Sequence, residues 1–572
     1  MFFRKNSHGV ITVFISLMLV SVLSLGTLVV EVARYQSAKT QLAEANISAS
    51  TSMVANYDVD LYKRYGLLAV KSSDIDEAKA MDYLNYNSDL ASNAFGNNIS
   101  RQYSISSIDV KGMYNLTYPS VLKRQILSRA KYSVVVQDYA LNRYNADQLL
   151  SQFQTECNYV TDALYTVGNG SGANDGDVSD DVKKALENMS KAFDGIQTAD
   201  TQNNVVISDN SFSILPSQTG VVETQTPEED LDLINDAKNS VSSLIGTDAS
   251  TLFSQGTSFS QTDVNVGTAT VGSIASAING GMFNDSLQMN GSKNAAMCVA
   301  QAKKMNAAIN TLKADQDGTL LLNSYITDFF SSRNRTVKGY VGPGKGSGFT
   351  GENGNFASAC VEYIFGGSKN EMTNQDTAFK YLMAVRLIDN LYLILNTSKS
   401  FNPNSTTSAW AHIMWAYYES FADVQLMARY NCAVPFSKTQ LIFDINSPAS
   451  VASAFSTYNF VTAMEALGIY SSGEYSVPGA NKFSYLDYMS FSLWFVANST
   501  KLSRVSDLIQ LEMRYNQQYV NNTAATFLMS DMDTYCRIKV NAKLNSVLPV
   551  ISSNQGGSIQ NVRFSSTKYS GF

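Results

Sequence analysis

Val10–Val30 runs for about 21 residues without a charge, roughly 31 Å as a helix, which matches the hydrocarbon layer of a bilayer. Arg4 and Lys5 precede the run, and Glu31 and Arg34 close it. A small face carries Gly9, Thr12 and Ser16, and a second carries Ser21 and Ser24; small residues allow close helix approach in a membrane. The helical pattern continues past the charges. Tyr35, Ala38, Leu42, Ala45, Ala49 and Met53 recur at three- and four-residue steps, a heptad-like seam in which half the residues are small. No proline precedes Pro119 and no glycine lies between Gly26 and Gly66. One rod of about 45 residues, roughly 65–70 Å, is therefore predicted.

Beyond the rod the periods alternate. Gly66–Val70 reads as a short strand, Asp74–Tyr86 as a helix, and Tyr103–Tyr118 as strands. Pro119 opens a predicted long helix to about Val160, proline being tolerated in a first turn. Residues 168–180 are Gly, Asn, Asp and Ser, a loop. Val182, Leu186, Met189, Phe193 and Ile196 then keep helical spacing, and Thr226-Pro227-Glu228-Glu229 forms a capping box before another helix. Residues 247–290 are rich in Ser, Thr and Gly. From Ser292 to about Gln517 the pattern is mainly helical, clearest at Thr373–Leu395, Ser405–Tyr430 and Leu486–Gln517. At the end the period becomes two, with Cys536, Ile538, Val540, Ala542 and Leu544 alternating with polar residues, and Val562 and Phe564 suggesting a further strand.

Composition narrows the function classes. The 572 residues suffice for two to four domains. An apolar fraction of 44% allows a large core, and the charged fraction is only 16%. With a net charge of -7 the chain has no basic excess for a phosphate backbone. Its two histidines, His8 and His412, leave no His pair for metal in the folded part. The five scattered cysteines form no CxxC pair and no disulfide framework. Ser, Asn, Thr and 31 Tyr fill the space left by charge, a neutral hydrogen-bonding surface suited to an extracellular setting.

The candidate chemical motifs each lack a part. Gly339–Lys345 satisfies GxxxxGK, but Gly346 stands where a phosphate loop needs Ser or Thr, so it reads as a glycine-rich loop. Asp175, Asp177, Ser179 and Asp181 begin like a calcium loop, but Asp180 and Leu186 replace the required Gly and Glu; a looser calcium site in the insert stays open. His412 lies in an apolar helix without a recognisable nucleophile and reads as structural. Glu419 and Asp423, one turn apart, read as a solvated or salt-bridged face. Two distant carboxylates acting as a glycosidase pair leave no signature among 49 acidic residues.

Gly9-Val10-Ile11-Thr12-Val13-Phe14, Glu31-Val32-Ala33-Arg34 and Gln41-Leu42-Ala43-Glu44-Ala45 resemble the N-terminus of TadE/TadG-like pilus-assembly proteins. Glu31 stands where such proteins often carry Asp. The remainder resembles a clostridial domain of unknown function. The matching pieces are Leu61-Tyr62-Lys63-Arg64-Tyr65-Gly66-Leu67, Lys123-Arg124-Gln125-Ile126-Leu127, Val361-Glu362-Tyr363-Ile364 with Glu371 and Asn374, Arg386 with Asn390, Val434-Pro435-Phe436-Ser437-Lys438, and Tyr485-Leu486-Asp487-Tyr488 followed by Arg504 and Asp507-Leu508-Ile509-Gln510. The resemblance implies a single-pass surface protein of a Gram-positive bacterium, tied to a Tad/Flp pilus. It implies no catalytic residues. Gly9 is a candidate processing point, although Phe14 replaces the acidic residue expected after such a cut. Cleavage near Ser24-Leu25-Gly26, as in a secretory signal, is a competing reading, and the apolar run continuing to Val30 favours an uncleaved anchor.

The expected fold is helix-rich α+β: a transmembrane-plus-stalk helix carrying an extracytoplasmic body with a few short antiparallel strands. The expected order is a basic tail (1–9), a transmembrane helix (10–30), a stalk helix (31–57), an α+β segment (58–167), a variable polar insert (168–290), a helix-rich body (291–530) and C-terminal strands (531–572). The expected function is that of a membrane-anchored, minor pilin-like or assembly component of a Tad/Flp-type pilus or secretion apparatus. The alternative is an adhesin or envelope-binding module on the same anchor. No catalytic residue, cofactor or metal is expected. The residues singled out are Gly9 and Glu31, a carboxylate at the membrane end of the span. Expected partners are the lipid bilayer and pilin-like or Tad-machinery proteins, and no nucleic acid.

Overall fold

A computed structural model describes residues 7–94, 103–133, 136–169, 291–312, 315–332, 360–367, 371–399, 401–443, most of 464–544, and 562–572. In chain order the elements are α1 (Ser7–Ala55), α2 (Val59–Tyr65), β1 (Val70–Lys71), α3 (Glu77–Ala94), β2 (Tyr103–Asn115), α4 (Pro119–Ser133), α5 (Val136–Gly168), α6 (Gly291–Leu312), α7 (Gln316–Phe329), α8 (Cys360–Gly366), α9 (Glu371–Thr397) and α10 (Thr406–Tyr430). They continue with β3 (Val434–Lys438), β4 (Tyr470–Ser471), β5 (Glu474–Tyr475), β6 (Gly479–Phe483), α11 (Tyr485–Ser492), α12 (Asn498–Tyr515), β7 (Met532–Leu544) and β8 (Arg563–Gly571). The 168–290 insert, the GxxxxGK loop and the candidate calcium loop lie outside the described residues.

The chain forms two compact bodies. The first comprises residues 1–63, 68–116 and 530–572. Its α1 is one helix of 49 residues. Residues 12–30 are exposed all round. Past Glu31 the seam turns inward, with Ala38, Leu42, Ala45, Ala49 and Met53 buried. They pack on an antiparallel sheet in which β7 is central, β2 pairs along one edge, and β8 and β1 pair along the other. The predicted alternation holds in β7: Cys536, Ile538, Val540, Ala542 and Leu544 face the helix. Ala80 and Leu84 of α3 complete this core. Small seam residues let α1 lie close to the strands, and Asn46 uses that proximity. Its amide donates to the carbonyls of Ile538 (3.2 Å) and Ser566 (3.1 Å). The stretch read as a stalk is thus a core element of this body along one face.

The second body comprises residues 64–67 and 117–529. Every residue of α9 from Tyr381 to Leu391 is buried, and α10 is buried over most of its length. Helices buried on all sides occupy the middle of a large core. Phe153 of α5, Phe436 of β3 and Phe491 of α11 form an aromatic cluster beside them, with ring centroids 5.1–6.3 Å apart. The caps are local and chemical. Ser405 accepts from the Ser408 amide (3.2 Å) at the start of α10, and Asn431 ends it in a left-handed conformation at φ 54°. Ser484 and Asp487 form a reciprocal capping box on α11.

Two predicted helices are divided. The stretch from Pro119 is α4 and α5, described as separate helices. Leu486–Gln517 is α11 and α12, separated by a 3₁₀ turn at Leu493–Phe495 and extended residues at Val496 and Ala497. All of Leu493–Ala497 are buried, so an apolar pattern continues through the break and hides it. The expected Asp74 start of α3 moves to Glu77, because Asp76 caps the helix by accepting from the Lys79 amide (2.7 Å).

Candidate functional site

Two features stand out: the bare half of α1 and a buried charge cluster in the second body. Gly9 lies in the first turn of α1. Ser16, Ser21, Ser24 and Thr27 each donate to a carbonyl three or four residues earlier, at 2.7–3.0 Å. The polar atoms of this apolar stretch are therefore satisfied within the helix, as a span in hydrocarbon requires. Glu31 pairs with Arg34 one turn on, at 2.9 Å. The pair ends the apolar stretch with its charges matched.

The cluster is built on α9 and α10. Arg386, Asp389 and Asn390 occupy one face of α9, and Glu419 and Asp423 face them from α10. Arg386 reaches Asp423 through Nε (3.0 Å) and Nη2 (2.7 Å), and Asp389 through Nη1 (2.5 Å). Lys438 of β3 lies 3.0 Å from Glu419 and 2.8 Å from Asp423. Asn390 and the Tyr475 hydroxyl donate to Asp423 as well, at 3.1 and 2.9 Å. Glu419 accepts the amides of Ile442 (3.0 Å) and Phe443 (2.7 Å), which ties the chain after β3 to α10. The Tyr488 ring lies beneath the guanidinium at 5.5 Å. The side chains of Arg386, Lys438, Glu419 and Asp423 are completely buried.

Burial drives the electrostatics. It raises the Asp423 carboxyl, but Lys438 and Arg386 outweigh it and hold the group below the ordinary carboxylate value. Glu419 ends above that value, because burial exceeds the help of Lys438 and the two amides. Burial also lifts Asp389 to about 6, against the pull of Arg386. Glu156 of α5 is raised by burial and by the charge of Asp389, and its Oε2 has no hydrogen-bond partner among the described residues. The arrangement neutralises charge inside a core and cross-links α9, α10 and β3. Among the described residues no group of three His, Cys, Asp or Glu side chains is placed to hold a metal ion.

The second body holds further, smaller buried networks. Tyr485 donates to Glu362 (2.9 Å), Tyr363 to Asp507 (3.0 Å), Arg504 to the Ile364 carbonyl (2.6 Å), and Tyr65 to Glu512. Burial keeps Lys501 well below the usual lysine value; its ammonium donates to Asn323 (2.8 Å) and the Leu493 carbonyl (3.2 Å). His412 is buried, with both ring nitrogens hydrogen-bonded. Its Nδ1 donates to the Ser408 carbonyl (2.7 Å), so Nε2 accepts from Ser398 (2.9 Å), and burial lowers its basicity.

Glu419 and Asp423 are salt-bridged as expected, but the face they occupy is dry. Sequence reasoning assigned no role to Arg386, Asp389 and Lys438. The signal for the first two was an Arg and an Asp three residues apart within Tyr381–Leu395, where Asn390 is the one further residue that is neither apolar nor aromatic. Arg386, Asn390 and Lys438, with Tyr488, Glu362, Arg504 and Asp507, are among the polar members of the fragments that carried the resemblance.

Residues 402–544 are similar to a family of unknown function, DUF5702. That stretch contains Glu419, Asp423 and Lys438. No curated protein and no solved structure matches the chain.

Proposed function

We propose that this chain is a membrane-anchored extracytoplasmic protein acting as a minor pilin-like or assembly component of a Tad/Flp-type pilus or secretion apparatus. The observation that carries the reading is the change of environment along one unbroken helix. The most apolar window of α1 has a mean hydropathy of 2.5 with none of it buried, and from Ala38 the seam lies in a core. A helix that leaves a bilayer and becomes the spine of an antiparallel sheet is a subunit design suited to helical packing with like subunits. The Gly9, Glu31 and small-residue motifs support the same reading, as does the resemblance to TadE/TadG-like proteins. The second body serves as a non-enzymatic scaffold: its clustered charges, Arg386, Asp389, Glu419, Asp423 and Lys438, bond to one another inside its core.

Two measurements test this. The first is the N-terminal residue of the protein isolated from membranes. Met1 is expected for an intact anchor; Val10 would mean leader processing after Gly9, and Thr27 would mean a cleaved secretion signal and would sink the anchor. The second is piliation after deletion of the chain. Loss of pili is expected, whereas normal pili with lost surface binding would favour an adhesin on the same anchor.

A further inference from the structure

We propose that the outer face of the β2–β7–β8 sheet, at the end nearest the apolar half of α1, docks on anionic phospholipid headgroups. This rests on reading residues 10–30 as a span and adds what the body does at the surface. The direction of the strands comes first. Tyr35 packs edge-on against Phe564 at 5.6 Å, Asn46 reaches Ser566, and Tyr57 meets Phe572 at 6.1 Å. So β8 runs alongside α1 and starts at the end nearest the apolar stretch. Antiparallel β7 ends there, and Arg563 stands directly opposite Lys543. Tyr35 follows Val30 by five residues, about 7.5 Å of helix. The headgroup layer outside the hydrocarbon is of similar depth, roughly 5–8 Å, and the Debye length at physiological salt is about 8 Å.

The charge of this face points the same way. The face turned from α1 carries Arg563, Lys543, Lys539, Arg537 and Lys111 in register, with Asp109 as the acidic member, bound to Arg537 at 2.9 Å. That is a basic face on a chain of net charge -7. Arg563 and Lys539 are exposed, and Lys543 is half-buried. Like charges directly opposite on a sheet are destabilising. The Lys543–Arg563 pair, flanked across β7 by the uncharged Ser104, is stabilised by an external anion. Lys39 on α1, one turn past Tyr35, is exposed and adds a further cation near the same level. A soluble polyanion would satisfy the charge; the position beside the end of the span favours lipid.

The test uses the full chain with a fluorophore at S565C, on the exposed outer face between Arg563 and Thr567; the five native cysteines are buried. The chain is placed in nanodiscs of phosphatidylcholine with rising phosphatidylglycerol, and energy transfer to a headgroup acceptor is read. Transfer is expected to rise with phosphatidylglycerol and to vanish in about 0.5 M salt. K543Q and R563Q are each expected to raise the half-maximal phosphatidylglycerol fraction about five-fold, while the K543R/R563K chain keeps the original response. A flat response to phosphatidylglycerol, or a K543Q/R563Q chain that behaves as the original, overturns the proposal. So does a response to soluble polyphosphate in phosphatidylcholine discs without one to phosphatidylglycerol. A chain that never enters the discs overturns the span and the docking together; one that enters and gives a flat response overturns the docking alone.

Discussion

Asp389 and Asp423 belong to one buried cluster and answer to pH in opposite directions. Asp423 is held below the ordinary carboxylate value, so its contribution to stability is present above about pH 4 and is lost as pH falls through the folded value. Asp389 is raised to about 6, so the folded chain binds its proton more tightly than the unfolded chain. Its contribution is whole below about pH 4 and is lost as pH rises through about 6. The two substitutions therefore separate. Asp423→Asn leaves Arg386 and Lys438 without their shared carboxylate, and a loss of about 3–5 kcal/mol at neutral pH is expected. Asp389→Asn is expected to be tolerated at neutral pH and to flatten the stability profile between about pH 4 and 6. Urea unfolding of the full chain across pH reads both; a D423N chain as stable as the original would remove the cluster's structural role. A charge on an apolar helix is visible in sequence. Which charge it meets is set by the packing of α9 against α10, and that distance in space leaves no spacing to read. His412 was readable for a local reason: its anchoring carbonyl, Ser408, is one turn away on the same helix.

At the scale of elements, α1 was the clearest reading because its pattern is long and regular. The seam positions from Ala38 to Met53 are core positions, with Tyr35 half-buried at the edge, and the small residues among them explain the close approach to β7 and β8. Ala49 is completely buried against the sheet. Ala49→Leu inserts three carbons where no space was left, and a loss of about 1–3 kcal/mol, with weakened protection of β7 amides, is expected from hydrogen exchange. Thr40 sits on the same helix but off the seam, and it is exposed. Thr40→Leu therefore serves as the control and is expected to change stability by less than about 0.5 kcal/mol. The ends of elements were less legible. The α11–α12 break is apolar on both sides, so periodicity continues through it. The β1 strand is two residues long and exists only because Val70 and Lys71 find Asp533 and Met532 on β7.

For the whole molecule, the order of the chain conceals its architecture. Tyr103 pairs with Leu544 and Asn115 with Asp533, so the first body is closed by strands from both ends of the sequence. Alternation identifies a strand but not its neighbour, which is why the C-terminal strands read as a separate segment. This body also divides α1 sharply, and the division makes a test. Residues 12–30 bury nothing, and the first completely buried position is Ala38. A chain lacking residues 1–33 keeps Tyr35 and the whole seam, so it is expected to leave the membrane fraction, stay soluble and retain its sheet signal by circular dichroism. A chain lacking residues 1–55 also loses Leu42, Met53 and Val54, each buried to 5% exposure or less. A fully buried side chain of this kind contributes about 1.5–3 kcal/mol, and three of them rival the 5–15 kcal/mol net stability of a domain. That longer deletion is expected to aggregate through the uncovered face of β7. If the shorter deletion aggregates equally in sedimentation velocity, the apolar half of α1 is part of the body's own fold and the anchor reading fails with it.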